Sequence, residues 1–156
     1  MRKGFTLMEI LIVMAVVAIL VAVIIPSYRS IQNDAWTAKA TIETRTLRDA
    51  VESYFRYNNK YPADLTELLT VRPNYLDQLP TDPWRTGTAT DTKGVTYNTY
   101  GYINGFVNGA GHYYIIYSKG MDGKDDVLGN EPVSGRLILP AGSDDIVIAS
   151  IPVVKQ

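Results

Sequence analysis

The sequence predicts an α+β fold, in which one long N-terminal helix, serving as membrane anchor and spine, packs on a small antiparallel sheet. Three observations predict this fold. A long apolar run opens the chain, and an amphipathic pattern of helical period follows it. The second half contains short segments rich in β-branched and aromatic residues, separated by turns rich in Gly, Asn and Asp.

The apolar run extends from Phe5 to Ile25 and contains a single charged residue, Glu9. As a helix, its 21 residues would span roughly 30 Å, which matches the hydrocarbon core of a bilayer. Arg2 and Lys3 precede the run and favour a cytoplasmic N-terminus. We therefore expect one membrane-spanning helix with a folded domain on the opposite side.

Gly4 and Glu9 indicate that this run does more than anchor the chain. A secretory signal is normally cut after its apolar region, at a small-x-small site, and the sequence has no such site there. A cut after Gly4 would instead keep the apolar run and create a new ammonium group on Phe5. A carboxylate inside an apolar span costs about 2.5–3.5 kcal/mol and needs a partner. Because a helix leads away from its own terminus, the expected partner of Glu9 is the Phe5 ammonium of a neighbouring chain.

The helical pattern resumes after Pro26, which we expect to kink or locally melt the helix rather than end it. Apolar residues return in steps of three to five from Ser27 to about Tyr57, which predicts an amphipathic helix whose apolar stripe carries the soluble domain. Asn58-Asn59 is expected to end this helix. The predicted stripe consists of Ile31, Ala35, Ala38, Ile42, Leu47, Val51, Tyr54 and Phe55.

The rest of the chain predicts short elements. Asp64 and Glu67 are spaced as in a capping box at the start of a short helix. Residues 85–94 are rich in Thr and Gly and predict a mobile loop. Turns are predicted at Asn104-Gly105 and Asn108-Gly109, and strands over residues 95–103, 112–118, 136–139 and 146–154.

The composition argues against several classes of function. The formal net charge is -1, so the chain lacks the basic character of a nucleic-acid-binding protein. The sequence contains no cysteine, so it has no disulfide. His112 is the only histidine, and no nucleophile motif accompanies it, so we expect no enzyme. Asp144-Asp145 predicts a solvated turn, and a second metal site is the alternative.

The hexapeptide Gly4-Phe5-Thr6-Leu7-Met8-Glu9 stands between a short basic leader and the apolar run, with Pro26 beyond. It resembles the processing motif of type IV pilins and of the pseudopilins of type II secretion. Three further segments resemble the major pseudopilin: Tyr61-Pro62-x-x-Leu65-x-x-Leu68, Tyr75-Leu76-x-x-Leu79-Pro80-x-Asp82-Pro83-Trp84 and Tyr117-Ser118-x-Gly120-x-Asp122-Gly123. Together with the N-terminus, the resemblance touches most of residues 1–126.

Three features depart from the family pattern. Arg85 stands where the family usually has Gly after Trp84. The loop before the main strand is long. The chain also continues for about 30 residues past the Asp-rich loop, where the family usually stops soon after.

The resemblance implies a pilin-like fold in four parts: a leader over residues 1–4, a transmembrane and filament-core helix over 5–25, an amphipathic spine helix over 26–58 and a periplasmic or surface α+β domain over 59–156. It implies a structural subunit of a type II secretion-type pseudopilus. The alternative is a type IV pilus subunit for adhesion, motility or an extracellular fibre. The lack of cysteine favours the pseudopilus, because many type IV pilins close a C-terminal loop with a disulfide. A third alternative, a ligand-sensing single-pass membrane protein, would keep Met1.

The resemblance also implies how the chain is processed and where it goes. A prepilin peptidase would cut between Gly4 and Phe5, the Phe5 amine would be methylated, and Glu9 would direct assembly. The implied partners are further copies in a helical filament, minor pseudopilins, an inner-membrane assembly platform and the membrane itself. The precursor is expected in the inner membrane with a periplasmic domain, and the filament in the periplasm or outside the cell.

The family's calcium loop lies in the segment that begins at Ser118. Asp122, Asp125 and Asp126 supply three carboxylates there, and calcium takes six to eight oxygen ligands from carboxylates and carbonyls. The resemblance therefore implies a structural calcium ion, with Asp122 as the best match and Asp125 or Asp126 as the second ligand. Carbonyls of Ser118 or Met121 would complete the shell. A solvated acidic turn is the alternative.

Overall fold

A computed structural model describes residues 4–71, 73–90, 92–107, 111–127, 132 and 135–155. The chain divides into two compact units, residues 1–36 and 37–156. A single helix, α1 (Leu7–Asn58), begins in the first unit and ends in the second. The predicted long N-terminal helix is therefore confirmed.

The first unit consists mainly of the apolar part of α1. Its large apolar side chains are exposed, from Phe5 at 83% to Ile25 at 47%. A helix that is apolar on all sides is stable only when lipid or other protein covers it. By length and composition α1 can cross a membrane. The residues around Pro26 remain helical, so the backbone does not melt locally there.

The second unit contains the rest of α1, a short helix and, among the described residues, seven strands. The elements after α1 are α2 (Glu67–Thr70), β1 (Gly87–Thr90), β2 (Thr96–Thr99), β3 (Gly101–Val107), β4 (Gly111–Ser118), β5 (Leu137–Leu139), β6 (Ile146–Ala149) and β7 (Val153–Lys155). The strands predicted at 112–118 and 136–139 are confirmed as β4 and β5. The segment predicted at 146–154 divides into β6 and β7, and that at 95–103 divides into β2 and the start of β3.

The strands form three small sheets. β1 pairs with β2, and the central sheet has the order β3-β4-β6, all antiparallel. β5 and β7 form an additional parallel pair. The predicted α+β class with antiparallel pairing is confirmed, and the parallel pair is a feature that the sequence pattern did not indicate.

β4 is the central strand and is buried on both faces, because successive side chains of a strand point to opposite sides. Tyr114 and Ile116 join a core that includes the buried stripe of α1. Ile115 and Tyr117 face a second core together with Leu137 and other residues from the C-terminal part of the chain. β4 thus joins the helix-facing core to the C-terminal core.

The predicted apolar stripe of α1 is correct in its second half, where Leu47 is fully buried. It is wrong in its first half, where Ile31 is 67% and Ile42 is 64% exposed. The step from Ile42 to Leu47 is five residues, which corresponds to one full helical turn plus roughly 140°. The two side chains therefore lie on different faces of the helix. Ala40 and Thr44, both fully buried, fill the stripe towards the domain instead. The residues placed wrongly are Ile31, Ala35, Ala38 and Ile42, all of them exposed.

In the second unit, three tyrosine hydroxyls donate hydrogen bonds to glutamate carboxylates. Tyr54, Tyr100 and Tyr114 donate to Glu67 (2.6 Å), Glu43 (2.6 Å) and Glu52 (3.0 Å), respectively. Burial, followed by the hydrogen bond to Glu67, raises the pKa of Tyr54 to about 12. Burial likewise raises the pKa values of the other two tyrosines. These hydroxyls therefore remain protonated donors near neutral pH.

Two local predictions about the chain after α2 are wrong. Residues 85–94 are not simply a mobile loop, because β1 within them pairs with β2. Asn104 and Gly105 do not form a turn but lie inside β3. Gly105 makes room for an aromatic ring, since a Cβ atom there would lie 2.7 Å from the hydroxyl oxygen of Tyr113. The other predicted turn, Asn108-Gly109, lies outside the described residues.

The end of α1 was predicted correctly, whereas the start of α2 was not. Asn59 has a φ of 52° and donates its N–H to the carbonyl of Phe55 at 2.8 Å, so α1 ends there as expected. The capping box predicted for Asp64 and Glu67 is not formed. Asp64 Oδ1 accepts instead from the N–H of Thr66 at 2.7 Å, and α2 begins only at Glu67.

Candidate functional site

Thr6 and Glu9 form a reciprocal capping box at the start of α1. The N–H and the hydroxyl of Thr6 both donate to Glu9 Oε2 at 2.9 Å, and the N–H of Glu9 donates to Thr6 Oγ1 at 3.2 Å. The Thr-x-x-Glu spacing was visible in the sequence, but the prediction treated Glu9 as a partner for an ammonium group and did not consider it as a helix cap. Glu9 Oε1 takes no part in the capping box.

Gly4 and Phe5 lie ahead of the helix, and both are exposed. Among the described residues other than Gly4 and its chain neighbours, no atom lies within 4 Å of the position where a Cβ of Gly4 would be. The peptide bond that the sequence predicts to be cut is therefore flanked by open space on its described side.

The acidic loop after β4 is closed by a side chain from a distant part of the sequence. Asp144 Oδ2 accepts from the N–H groups of Met121 at 2.7 Å and Asp122 at 3.0 Å. Gly120 has a φ of 68°, and a Cβ atom there would lie 2.7 Å from the carboxyl carbon of Asp144. Glycine is thus required both by the backbone conformation and by the close approach of Asp144.

Asp145 is buried beside the same loop. Only 4% of its surface is exposed, and its Oδ2 accepts from the N–H of Asp126 at 3.0 Å. Burial raises the pKa of Asp145 to about 6, and the charges of Asp126, Asp125 and Asp144 act in the same direction. The Oδ1 atoms of Asp144 and Asp145 are buried without a hydrogen-bond partner. The prediction of a solvated turn at Asp144-Asp145 is therefore wrong.

Strand pairing explains why these two aspartates reach the loop. β4 and β6 are antiparallel, and Ser118 at the end of β4 lies opposite Ile146 at the start of β6. The residues that follow Ser118 consequently lie beside those that precede Ile146. The sequence pattern indicated both strands but not their register, so the proximity of the two acidic segments could not be predicted.

Two of the predicted calcium ligands contact groups within the loop. Asp122 Oδ1 accepts from the N–H of Lys124 at 2.8 Å, and this hydrogen bond is the main cause that lowers the pKa of Asp122. Lys124 Nζ lies 3.4 Å from Asp122 Oδ2. Asp125 Oδ2 accepts from the Tyr117 hydroxyl at 3.3 Å. Among the described residues, no three or more His, Asp or Glu side chains converge in a ready-made metal site.

Ser118, also a predicted ligand, is fully buried, and its hydroxyl donates to Asp82 Oδ1 at 2.8 Å. Asp82 is fully buried as well, and it accepts from the N–H groups of Trp84 at 3.1 Å and Thr86 at 2.9 Å. Between these two residues, Arg85 has a φ of 51°. The carbonyl of Ser118, not its hydroxyl, is the group that remains relevant to the calcium prediction.

Comparisons with known proteins identify a motif in the same N-terminal segment. Residues 1–25 match the model of the prokaryotic N-terminal methylation motif. The chain is 27% identical over 143 residues to "Type II secretion system core protein G" of Pectobacterium carotovorum, covering 83% of this chain and 84% of that protein. It is 29% identical over 149 residues to the protein of the same name from Klebsiella michiganensis, covering 86% and 96%.

A shorter similarity connects the chain to pilins. The "Type IV major pilin protein PilE1" of Neisseria gonorrhoeae is 34% identical over 73 residues, covering 47% of this chain and 44% of that protein. No solved structure matches.

The methylation motif, the exposed apolar helix and the α+β domain are together similar to those of pilin-like proteins. Within that class, the similarity to core protein G over most of the chain supports a family close to the major pseudopilin. The apolar N-terminal helix and the motif also fit a membrane-anchored precursor.

Proposed function

We propose that this chain is the structural subunit of a type II secretion-type pseudopilus, and that it assembles through its N-terminal helix. The similarity to core protein G along 83–86% of the chain carries this proposal. The methylation motif and the uncovered apolar surface of α1 support it. The role is structural rather than enzymatic.

Assembly would follow from the chemistry of the N-terminus. A prepilin peptidase cuts between Gly4 and Phe5, and the freed Phe5 amine is methylated. Glu9 of one copy then pairs with the Phe5 amine of its neighbour while the helix leaves the bilayer. The apolar residues 5–25 exchange lipid contacts for contacts with other copies, which satisfies a helix that is apolar on all sides.

We further propose the surroundings in which this takes place. The precursor lies in the inner membrane with its domain in the periplasm, and an assembly platform and minor pseudopilins take part in building the filament. The alternative, a type IV pilus subunit, has support from the similarity to PilE1, but that similarity covers only 47% of the chain. Co-purification with secretion machinery, as opposed to recovery in sheared extracellular fibres, distinguishes the two.

The N-terminal mass of the chain tests the proposed function directly. When the chain is co-expressed with a prepilin peptidase, we expect a product that begins with methylated Phe5 and forms filaments visible by electron microscopy. A Gly4→Val variant is expected to keep its leader and form no filaments. Recovery of the unvaried chain with Met1 still attached, despite an active peptidase, would refute the proposal and favour a membrane-bound sensor.

We also propose that the acidic loop binds a structural calcium ion. Two buried carboxylate oxygens without hydrogen-bond partners, on Asp144 and Asp145, support this proposal. A buried carboxylate favours the neutral form, and a bound cation would reverse that preference. Asp144 and Asp145 would offer these two oxygens to the ion. Asp122, Asp125 or Asp126 and the carbonyls of Ser118 or Met121 are further candidates that would have to close around it, since the described carboxylates form no ready-made site. Bound calcium would supply positive charge that holds the loop and the segment before β6 together.

A further inference from the structure

We propose that the second unit carries a binding site for an acidic sugar, that is, a pyranose ring with a carboxylate group. The site is a pocket of about 300 Å³, which lies at the lower end of the range for small-molecule sites. We call it the aromatic pocket, and it is lined, among other residues, by Lys60, Tyr61, Asn104, Phe106 and His112. All five residues belong to one folded unit of a single chain, so the proposal does not depend on assembly or on the proposed function.

The pairing of β3 with β4 and the segment after α1 together build the pocket. Phe106 in β3 lies opposite His112 in β4, and their ring centroids are 5.1 Å apart in an edge-to-face arrangement. Asn104 lies two residues before Phe106 and therefore on the same face of β3. The Asn104 side-chain amide donates to the carbonyl of Pro62 at 2.5 Å, and the Tyr102 hydroxyl donates to the same carbonyl at 2.9 Å. These bonds hold the walls of the pocket in place before a ligand binds, which lowers the cost of binding.

Phe106 supplies an aromatic surface to a ligand. Its side chain is 60% exposed although it lies in the central sheet, so its contact with His112 leaves most of the ring uncovered. The face of an aromatic ring is electron-rich, and it attracts the weakly positive C–H groups on one face of a sugar ring. Tyr61, which is half-buried, adds a second aromatic ring to the wall. A ligand with one apolar face and polar edges fits this surface.

The polar groups of the pocket favour an anion. Lys60 is exposed and brings a positive charge, and an ammonium group forms its strongest hydrogen bonds with carboxylates and phosphates. Asn104 uses its amide nitrogen for Pro62, so its carbonyl oxygen is available to accept from a sugar hydroxyl. The described residues that line the pocket include no Asp or Glu, so the pocket is unsuited to a cation. A ring that has both hydroxyls and a carboxylate matches the aromatic surface, the amide oxygen and the ammonium group together.

His112 makes the site directly observable, because it is the only histidine in the chain. We would label the full chain in detergent with ¹³C-histidine and follow the His112 ring signals by NMR. One arm of the titration uses oligosaccharides of glucuronate, galacturonate and mannuronate. The other uses the disaccharide of N-acetylglucosamine and N-acetylmuramic acid, so the two arms separate a uronate polysaccharide from a cell-wall glycan as the source of the ligand. Maltotetraose, which has rings without a carboxylate, and acetate, which has a carboxylate without a ring, are the control probes.

We expect an acidic sugar from at least one arm to shift the His112 signals, and its own ring protons to move upfield over an aromatic face. Its affinity should exceed that of maltotetraose and of acetate by at least about tenfold. Phe106→Ala should weaken binding by at least about fivefold, because it removes the exposed ring. Tyr57→Ala is the matched control, since Tyr57 is a 75% exposed aromatic residue outside the residues that line the pocket. It should leave the affinity unchanged.

A second pair of variants tests the charge. Lys60→Gln should remove the preference for the acidic sugar over maltotetraose, whereas Arg56→Gln should keep it. Arg56 is exposed and its substitution changes the net charge equally, but it does not line the pocket. If Phe106→Ala fails to fold, the Lys60 variant and the upfield shift of the sugar protons still decide the question.

Several results would overturn the proposal. If no acidic sugar shifts the His112 signals, the site does not exist. Equal affinity for maltotetraose would show that the carboxylate is not recognised, and equal affinity for acetate would show a simple anion site. Equal losses from Phe106→Ala and Tyr57→Ala would show unspecific contact with exposed rings. All these measurements use unassembled chains, so a failure here leaves the proposed function intact, and a failure to form filaments leaves this proposal intact.

Discussion

At the residue scale, Glu9 has an observed role as a helix cap and a proposed role as a charge partner, and a single substitution would confuse the two. In the structure its carboxylate caps α1 through Thr6. In the proposed filament its charge pairs with the Phe5 amine of a neighbour. Glutamine can still occupy the third position of a capping box, whereas alanine cannot.

We therefore expect Glu9→Gln and Glu9→Ala to be cleaved normally and both to assemble poorly, because both lack the charge. Only the alanine variant loses the bonds that Thr6 donates to the Glu9 side chain, whereas the backbone N–H at position 9 still donates to Thr6 Oγ1. The loss is therefore at most about 1 kcal/mol. Cleavage is measured by mass spectrometry and assembly by filament yield. If Glu9→Gln assembles like the unvaried chain, the charge pairing is wrong and the cap is the relevant role.

Arg85, which stands where the family usually has glycine, adopts a backbone conformation that favours glycine. Its φ of 51° lies in the left-handed region, where residues other than glycine are strained by about 1–2 kcal/mol. The family's usual glycine at this position would adopt that conformation without the steric cost. Arg85 therefore occupies a backbone position for which glycine is better suited.

We expect Arg85→Gly to raise the free energy of unfolding by about 0.5–1 kcal/mol, since the relief of strain is partly offset by the greater chain entropy of glycine in the unfolded state. Urea denaturation of the full chain in detergent measures the change. Arg85→Ala is the control, because it removes the same side chain but keeps the strain. Equal effects of the two substitutions would show that the backbone conformation is not the cause.

At the scale of the element, α1 has two apolar surfaces in different phases. Towards the domain, residues such as Leu47 are fully buried, whereas on the opposite side Ile42 is 64% exposed. Apolar residues recur at helical spacing on both surfaces, but a periodic pattern alone does not state which surface packs against which partner.

Matched truncations distinguish the two surfaces. Leu47→Ala creates a cavity in the core and should lower the free energy of unfolding by about 2–5 kcal/mol. Ile42→Ala should change it by less than about 0.5 kcal/mol, because the side chain is mostly exposed, at 64%. Denaturation of unassembled chains in detergent measures both. A large loss from Ile42→Ala would contradict the assignment of Ile42 to the outward-facing surface.

On the scale of the whole molecule, the acidic loop joins two segments that are distant in sequence. Asp144 bonds to the N–H groups of Met121 and Asp122, and Asp145 bonds to that of Asp126. These bonds hold the segment before β6 against the end of β4. A calcium ion bound there would stabilise the C-terminal part of the domain, not only the loop.

We expect calcium at about 100 times its dissociation constant to stabilise the fold by about 2.7 kcal/mol, and a chelator to reverse the effect. The midpoint of thermal unfolding of the full chain in detergent measures this, with magnesium as the control ion. Asp144→Asn should abolish the response, whereas Asp77→Asn, at an exposed site elsewhere, should keep it. An unvaried chain whose midpoint does not respond to calcium would refute the metal site.

The sequence by itself determined the long N-terminal helix of this protein and its motif. A run of 21 residues with one charge predicts a helix long enough to cross a bilayer, and Gly4, Phe5 and Glu9 define the motif locally. Helix ends such as Asn59, and strands such as β4, were also predictable, because short-range periodicity and turn chemistry specify them. These features depend on neighbours in sequence, so a linear pattern contains them.

Only the tertiary structure decided which distant residues meet. The register of Ser118 against Ile146 places Asp144 and Asp145 beside the acidic loop. It buries Asp145 and one carboxylate oxygen of Asp144, although the sequence alone assigned both residues to solvent. Packing likewise decided that Ala40 and Thr44, not Ile42, face the domain. Strand register and helix phase result from the summed burial of many side chains, and no local pattern of residues specifies that sum.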